Sequence, residues 1–210
     1  MKRSHHGDVE RFDEWSATYD RGPGRYFFGH VHQPVLNAVT SGRVLPRRVA
    51  DVGCGTGRLL EALLARLPDA ELVGIDPAQG MIAVARSRFA NEPRVRIEAA
   101  TADHLPLADA SVDVLTTTMS FHHWEHAEMA LREAVRVLAP GGRLLLADVL
   151  GIGFFGRLMR WTGRGHGSGY RSAAELTALL RDAGFARWRR RQLWPAVPIY
   201  LVEAQRTTGL

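Results

Sequence analysis

Apolar residues recur along this chain with two different periods. Between Asp8 and Tyr19 they fall at helical spacing, with Val9, Phe12, Trp15 and Tyr19 on one side. Gly22, Pro23 and Gly24 break that pattern, and a second helix is predicted over about His30 to Val39. From Arg47 onward short apolar runs alternate with helical ones. Strands are predicted at Val49 to Val52, Leu72 to Ile75, Val95 to Ala99, Val112 to Thr116 and Leu144 to Val149. Helices are predicted between them, at Leu59 to Leu67, Met81 to Phe89 and Glu125 to Leu138, the last stopped by Pro140-Gly141-Gly142. Ala173 to Ala183 reads as a further helix, ended by Gly184. Phe185 to Gln192 and Ile199 to Ala204 read as closing strands. Strands alternating with helices imply a mostly parallel sheet with helices on both faces, a doubly wound α/β architecture.

One stretch fits neither period. Gly151 to Gly169 carries seven glycines in 19 residues. Within it Phe154, Phe155, Leu158, Trp161 and Thr162 share a helical face, with Arg157 and Arg160 opposite. It reads either as a flexible connection with one amphipathic turn or as a lid over a substrate.

Composition narrows the class. A chain of 210 residues can bury a core without disulfides, and its one cysteine, Cys54, has no internal partner. No apolar run approaches a membrane span, and the polar first residues do not resemble a signal peptide. A soluble, cytoplasmic protein is expected, with no stable membrane association. The formal net charge is +5, but the 27 basic residues are 26 arginines and one lysine, Lys2, spread along the chain. Only Arg187, Arg189, Arg190 and Arg191 cluster. They read as a solvated face, or else as a phosphate-binding patch.

The most specific chemistry lies in Val49 to Gly57. Gly53, Gly55 and Gly57 sit where the first strand passes into a helix, where a doubly wound sheet binds nucleotide-like ligands. Asp76 ends the second strand, 23 residues beyond Gly53, placed to accept hydrogen bonds from ribose hydroxyls. Its other reading is a cap for the helix after Pro77. The spacing Gly-x-Gly-x-Gly departs from the dinucleotide fingerprint, and Asp51 stands two residues before the first glycine. A carboxylate there repels a pyrophosphate but suits a ligand carrying an ammonium group. S-adenosylmethionine carries an ammonium and a sulfonium and no phosphate, so the charge favours it over a dinucleotide.

These segments resemble the class I S-adenosylmethionine-dependent methyltransferases, and among them the small ubiquinone-biosynthesis-like, or type 11, group. The resemblance rests on Val49 to Gly57, on Asp76 to Met81 and on Ala102 to Leu107. It continues through Ser111 to Val114 with Ser120 to His123, and ends with Leu131 to Leu144. It implies a Rossmann-like sheet of seven strands, the last antiparallel, with N-terminal helices and a lid. One domain is expected over 1–210. Its parts are a helical cap (1–46), a cofactor-binding core (47–150), a lid or substrate segment (151–171) and a closing helix and hairpin (172–210).

The resemblance also implies roles. Gly53, Gly55 and Gly57 would wrap the methionine part of the cofactor, with Asp51 near its amino end. Asp76, with Pro77 beside it, would hold the ribose. Met81 would cover the adenine, and Asp103 and His104 would border it. Thr118 and Met119 would lie under the sulfonium. The stretch Phe12 to Asp20 resembles the entrance helix of this group, in which Tyr19 would cap the cofactor.

Methyl transfer from a sulfonium is a direct displacement, so alignment carries most of the catalysis. Where the acceptor must lose a proton, a base adds about 10²–10⁴-fold. His122 and His123 follow the fourth strand and are the candidate catalytic bases, though they also read as scaffold. His30, His32 and His166 read as solvent-facing or substrate-contacting. No metal site is expected, because adjacent histidines on a strand or helix point apart. Cys54 reads as a packing residue. The expected substrate is a small organic molecule with an O, N or C acceptor. The rivals are an RNA or protein methyltransferase, an NAD-dependent oxidoreductase and a non-catalytic cofactor-binding subunit.

Overall fold

The computed structural model describes residues 5–16, 18–21, 24–42, 44–152, 170–194 and 197–208. Its centre is one seven-stranded sheet in the order β3-β2-β1-β4-β5-β7-β6. The strands are β1 (Arg48–Val52), β2 (Glu71–Asp76), β3 (Val95–Ala99), β4 (Val112–Thr118), β5 (Leu138–Val149), β6 (Phe185–Trp194) and β7 (Val197–Arg206). β7 pairs antiparallel with both β5 and β6, and the other pairs are parallel. This is the expected Rossmann-like methyltransferase sheet. The strand order reverses between β1 and β4, and the crevice at such a switch point is where open α/β sheets bind ligands.

The helices follow from the apolar faces that the strands present. In β5, Leu144 and Leu146 face one core while Leu145 and Ala147 face the other. A strand buried on both sides needs helices on both sides. One face is covered by α2 (Gly24–Thr40), α3 (Arg58–Leu64) and α4 (Gln79–Arg88), through residues such as Val35, Leu60 and Ile82. The other is covered by α5 (Ala127–Val137) and α6 (Ala173–Ala183), through Leu131, Ala134 and Leu180. α6 starts with a capping box between Ser172 and Glu175 and ends at Gly184 in the left-handed region (φ 103°). No helix among the described residues is long and apolar enough to cross a membrane.

Three local expectations change. The predicted helix from Asp8 to Tyr19 is α1 (His5–Trp15), and Tyr19 lies on a separate 3-10 turn, Tyr19–Arg21. Trp15, expected on the apolar face, is 45% exposed. The strand expected from Leu144 begins at Leu138, so Pro140-Gly141-Gly142, the stop of the preceding helix, lies inside it. β5 already pairs at Leu138 with Val112, and the three residues form an irregularity before Arg143 pairs with Val114. Gly141 takes φ 77°, and a Cβ on Gly142 would come within 2.8 Å of the Ala139 carbonyl oxygen, so this tight path needs its glycines. The candidate lid lies almost wholly outside the described residues, as does His166.

The arginine cluster falls on β6, the strand at the sheet edge, where Arg187, Arg189, Arg190 and Arg191 are exposed. Arg189 pairs with Glu203 of β7 at 2.8 Å. Charged side chains on an edge strand discourage pairing with another chain.

Candidate active site

The glycine loop leaves β1 and folds against the end of β2, where the N–H groups of Gly53 and Cys54 donate to the Ile75 carbonyl at 2.8 and 3.1 Å. Gly53, Gly55 and Gly57 have φ of 75°, 54° and 83°, a region that glycine enters at little cost. A Cβ on Gly53 would overlap the Ser120 side chain, and one on Gly57 would lie 2.6 Å from the Phe89 ring. At Gly55 it would meet nothing within 4 Å. The loop is closed on two sides and open at Gly55.

Asp76 fixes that loop. Its two carboxylate oxygens accept from the N–H groups of Gly55 and Ala78, each at 2.9 Å. Burial pushes its pKa up, against the pull of those two bonds. Behind the loop Asp51 is 1% exposed and accepts from the Thr116 hydroxyl at 2.7 Å. Burial pushes its carboxyl up to about 7. The Thr116 bond opposes that shift and the Asp76 charge adds to it.

A cavity of about 240 Å³ opens in front of the loop. Gly53, Gly55, Asp76, Thr118 and Met119 form its floor, and Val9, Phe12 and Tyr19 contribute a second wall. α1 reaches this position because the first turn of α4 carries Gly80, whose N–H donates to the Asp13 carboxylate at 2.7 Å. A Cβ there would meet the Ser16 hydroxyl at 2.6 Å and the Asp13 carbonyl oxygen at 2.9 Å. Asp20 anchors the next turn. It accepts from Thr56 Oγ1 at 2.9 Å and Arg58 Nε at 2.7 Å, and it also pairs with Arg88. Despite the cost of burial, the bonds from Arg58 and Thr56 hold the Asp20 carboxyl below its usual range. Burial, with Asp76 and Asp20 nearby, pushes the Tyr19 hydroxyl up to about 12, so it stays a neutral donor.

A third wall is the loop after β3, carrying Thr101 to His104. Glu133 accepts from the Leu105 N–H at 2.9 Å, and Arg136 donates to the carbonyls of Leu105 and Leu107 at 3.1 and 2.8 Å. These two side chains of α5 hold the wall in place. At the far end Met119, just beyond β4, takes φ 52°. Such a conformation in a non-glycine residue is strained and concentrates at functional sites.

A 3-10 turn, Phe121–His123, follows. The two histidines do not point apart, as adjacent residues on a strand or helix would. The turn brings their rings to 4.0 Å, tilted by 41°. His123 lines the cavity, and its ring lies 5.3 Å from that of Phe12. His122 turns to β5, where Nδ1 lies 2.7 Å from Asp148.

The charge around the cavity is one-sided. Asp76, Asp103 and Glu125 line it with His104, His123 and His126, and no arginine or lysine is among the described lining residues. In a chain with 26 arginines, that distribution disfavours a pyrophosphate and suits a cationic ligand.

Comparison with known proteins agrees. A family model described as a methyltransferase domain matches residues 50–146. Malonyl-[acyl-carrier protein] O-methyltransferase of Methylococcus capsulatus is 34% identical over 147 residues, 69% of this chain and 54% of that protein. Demethylmenaquinone methyltransferase of Thermus thermophilus is 42% identical over 104 residues, covering 49% and 47%. The chain spans about half the length of these curated relatives. Among solved structures, a methyltransferase of Thermotoga maritima described as a possible histamine N-methyltransferase is 25% identical. It has a TM-score of 0.67 and covers 93% of this chain and 98% of that one. Residues 50–146 thus match a methyltransferase domain, and they lie on the Rossmann-like sheet of the class I S-adenosylmethionine-dependent methyltransferases.

S-adenosylmethionine, the cofactor consistent with this family and fold, also passes a test on the residues themselves. The chain leaves open space where a Cβ on Gly55 would stand, presents a buried carboxylate beside it, and keeps arginine off the described walls. Of the residues singled out from sequence, Tyr19, Gly53, Gly55, Asp76, Pro77, Met81, Asp103, His104, Thr118, Met119 and His123 meet at one cavity. Asp51, Gly57 and His122 do not line it. Cys54 is buried, and burial pushes its thiol well up. His32 is pushed down to about 4 by burial and by Arg58, while His30 is exposed near Trp194. Reading the sequence missed Ser120, Trp124 and Asp148. Asp148 had a usable signal, since it is the one acid in the apolar run Leu144 to Val149.

Proposed function

We propose that this protein transfers a methyl group from S-adenosylmethionine to an O, N or C atom of a small organic molecule. The observation that carries the reading is the cavity at the switch point of the sheet, whose described lining holds acids and no arginine. When bound, the cofactor supplies a methyl group on a positively charged sulfur, a good electrophile with a neutral leaving group.

The chain's own residues bind and orient. Asp76 accepts from the ribose hydroxyls. A carboxylate has about four acceptor sites, and its bonds to Gly55 and Ala78 occupy two. Asp103 and His104 border the adenine, and Met81 packs on it, with Pro77 closing the ribose end. Gly53 and Gly55 let the backbone approach the methionine part, Gly57 turns the loop against the Phe89 ring, and Asp51 lends negative charge from behind. Tyr19 closes over the cofactor from the N-terminal side, excluding water. Thr118 and Met119 lie at the reacting end, with His123 beside them. Well-oriented reactants recover about 7–11 kcal/mol of barrier through proximity alone, so alignment is the main catalytic device.

The experiment is thermal unfolding with S-adenosylhomocysteine, with NADH as the control. At 100 times its dissociation constant a ligand adds about 2.7 kcal/mol, or roughly 5–11 °C for a domain of this size. A shift with the homocysteine compound alone supports the reading, and a shift with NADH alone sinks it. His123→Gln should keep that shift to within a few degrees, and losing it would make His123 a cofactor residue.

A further inference from the structure

The glycine loop lets a ligand come close but offers it little to bond to. Gly53 and Gly55 are the loop residues that line the cavity, and both have already spent their N–H groups. That of Gly53 donates to the Ile75 carbonyl at 2.8 Å, and that of Gly55 to the Asp76 carboxylate at 2.9 Å. Behind them Cys54 donates to Ile75 at 3.1 Å and Gly57 to the Cys54 carbonyl at 3.0 Å. Thr56 is 2% exposed and stands off the lining. S-adenosylmethionine ends in an α-amino acid. Its ammonium needs acceptors, which the acids of the cavity supply. Its carboxylate needs donors, and an anion left without them is costly to bury.

Ser120 offers a donor at that end. It lines the cavity next to Met119. A Cβ on Gly53 would overlap its hydroxyl, so the hydroxyl stands directly against the first glycine of the loop. The Ser120 oxygen accepts from Nε1 of the Trp124 indole at 3.2 Å. A hydroxyl has one hydrogen and two lone pairs, and an indole N–H only donates. The indole therefore occupies a lone pair and leaves the hydrogen to point elsewhere. Among the described residues nothing accepts that hydrogen. Trp124 is itself held in place. It is 8% exposed, its ring meets that of Phe121 edge-on at 5.2 Å, and its carbonyl accepts from Arg171 at 3.2 Å. The other hydroxyls of the threonines on the walls are placed differently. Thr101 gives its own to Asp103, and among the described residues no donor orients that of Thr118.

We infer that Ser120 is a cofactor-binding residue whose hydroxyl donates to the carboxylate of the cofactor's methionine part, and that Trp124 is the residue that positions it. The inference rests on the methyltransferase reading above and names a contact that reading leaves open. No arginine or lysine is among the described lining residues, so a neutral donor meets the carboxylate here. Accepting a bond from Trp124 polarises the hydroxyl and makes it a better donor. A hydrogen bond to an ionised partner is also stronger than one between neutral groups. The pair thereby favours ligands that carry the carboxylate over those that lack it.

The test compares two ligands by titration calorimetry. S-adenosylhomocysteine carries the carboxylate, and S-adenosyl-3-thiopropylamine is the same molecule without it. Ser120→Ala keeps the Cβ beside Gly53, so its melting temperature should stay within a few degrees of the wild type. It should bind S-adenosylhomocysteine about tenfold more weakly and bind the decarboxylated ligand as the wild type does. Trp124→Phe keeps a ring and loses the N–H, and it should show a smaller loss, again for S-adenosylhomocysteine alone. Unchanged affinity for S-adenosylhomocysteine in Ser120→Ala overturns the inference. So does an equal loss for both ligands, which would put the hydroxyl on another part of the cofactor. A wild type that binds S-adenosylhomocysteine while Ser120→Ala binds it equally well ends only the role of Ser120. A wild type that does not bind it at all ends the methyltransferase reading itself.

Discussion

Asp76 and Asp51 are two carboxylates held close together with different tasks. Asp76 is committed to the loop backbone through Gly55 and Ala78 and still lines the cavity. Asp76→Ala should therefore weaken S-adenosylhomocysteine binding by about 10–100-fold, the worth of one or two hydrogen bonds to a charged group. Isothermal titration checks it, and unchanged affinity would remove Asp76 from the ribose. Asp51 is raised to about 7 by burial. Its unfolded carboxyl titrates near 3.9, so between those values the folded state holds a proton that the unfolded state has released. The stability this contributes is present below about 4 and lost as pH rises through about 7. Asp51→Asn should raise the melting temperature more at pH 8 than at pH 4. A cationic ligand favours the ionised form, so cofactor affinity should rise with pH through about 7 in the wild type and lose that slope in the variant.

Two elements depend on contacts that no local pattern encodes. α1 roofs the cavity only because Gly80 lets Asp13 and Ser16 approach the start of α4. Gly80→Val should displace α1 and reduce the stabilisation by S-adenosylhomocysteine by half or more. The melting temperature of the free protein should fall by only a few degrees, since the sheet cores do not include that contact. A full ligand shift in this variant would show that α1 does not cover the site. β6 exposes its arginines at the edge of the sheet. Replacing Arg187 and Arg190 with valine should promote association measurable by light scattering and leave cofactor binding unchanged. If those arginines instead bound RNA, the wild type would bind it with a steep loss on adding salt.

At the scale of the molecule, the sheet sets the site. Reversal of strand order between β1 and β4 opens a crevice, and five of the seven strands, β1 to β5, bring an element boundary or a side chain to bear on it or on its supports. β5 carries the buried Asp148 behind the histidine turn. β2 ends in Asp76, and the loop after β3 forms a wall that α5 ties down through Glu133 and Arg136. The relatives it resembles act on different partners by their names, a malonyl carrier protein and demethylmenaquinone. The family model spans residues 50–146, which carry the glycine loop, Asp76 and the wall after β3.

Much of this was legible along the chain, for local reasons. The change of apolar period at Arg47 marked the start of β1 within one residue, and β3 and α6 fell on their predicted bounds, because burial on fixed faces imposes those periods. The glycine loop and Asp76 were legible because backbone conformation and ligand charge restrict which residues can stand there. What sequence reading misjudged involved residues far apart. It set Tyr19 on α1 and began β5 at Leu144 rather than Leu138, since helix ends and bulges are decided by what packs against them. It made His122 and His123 equivalent, and only the pairing of β4 with β5 brings Asp148 beneath one of them. The sequence determined that a cofactor-binding sheet forms and which loop meets the ligand. The tertiary structure decided which histidine is held, which carboxylate is buried and what closes the cavity, because those depend on distances between residues that the chain order does not contain.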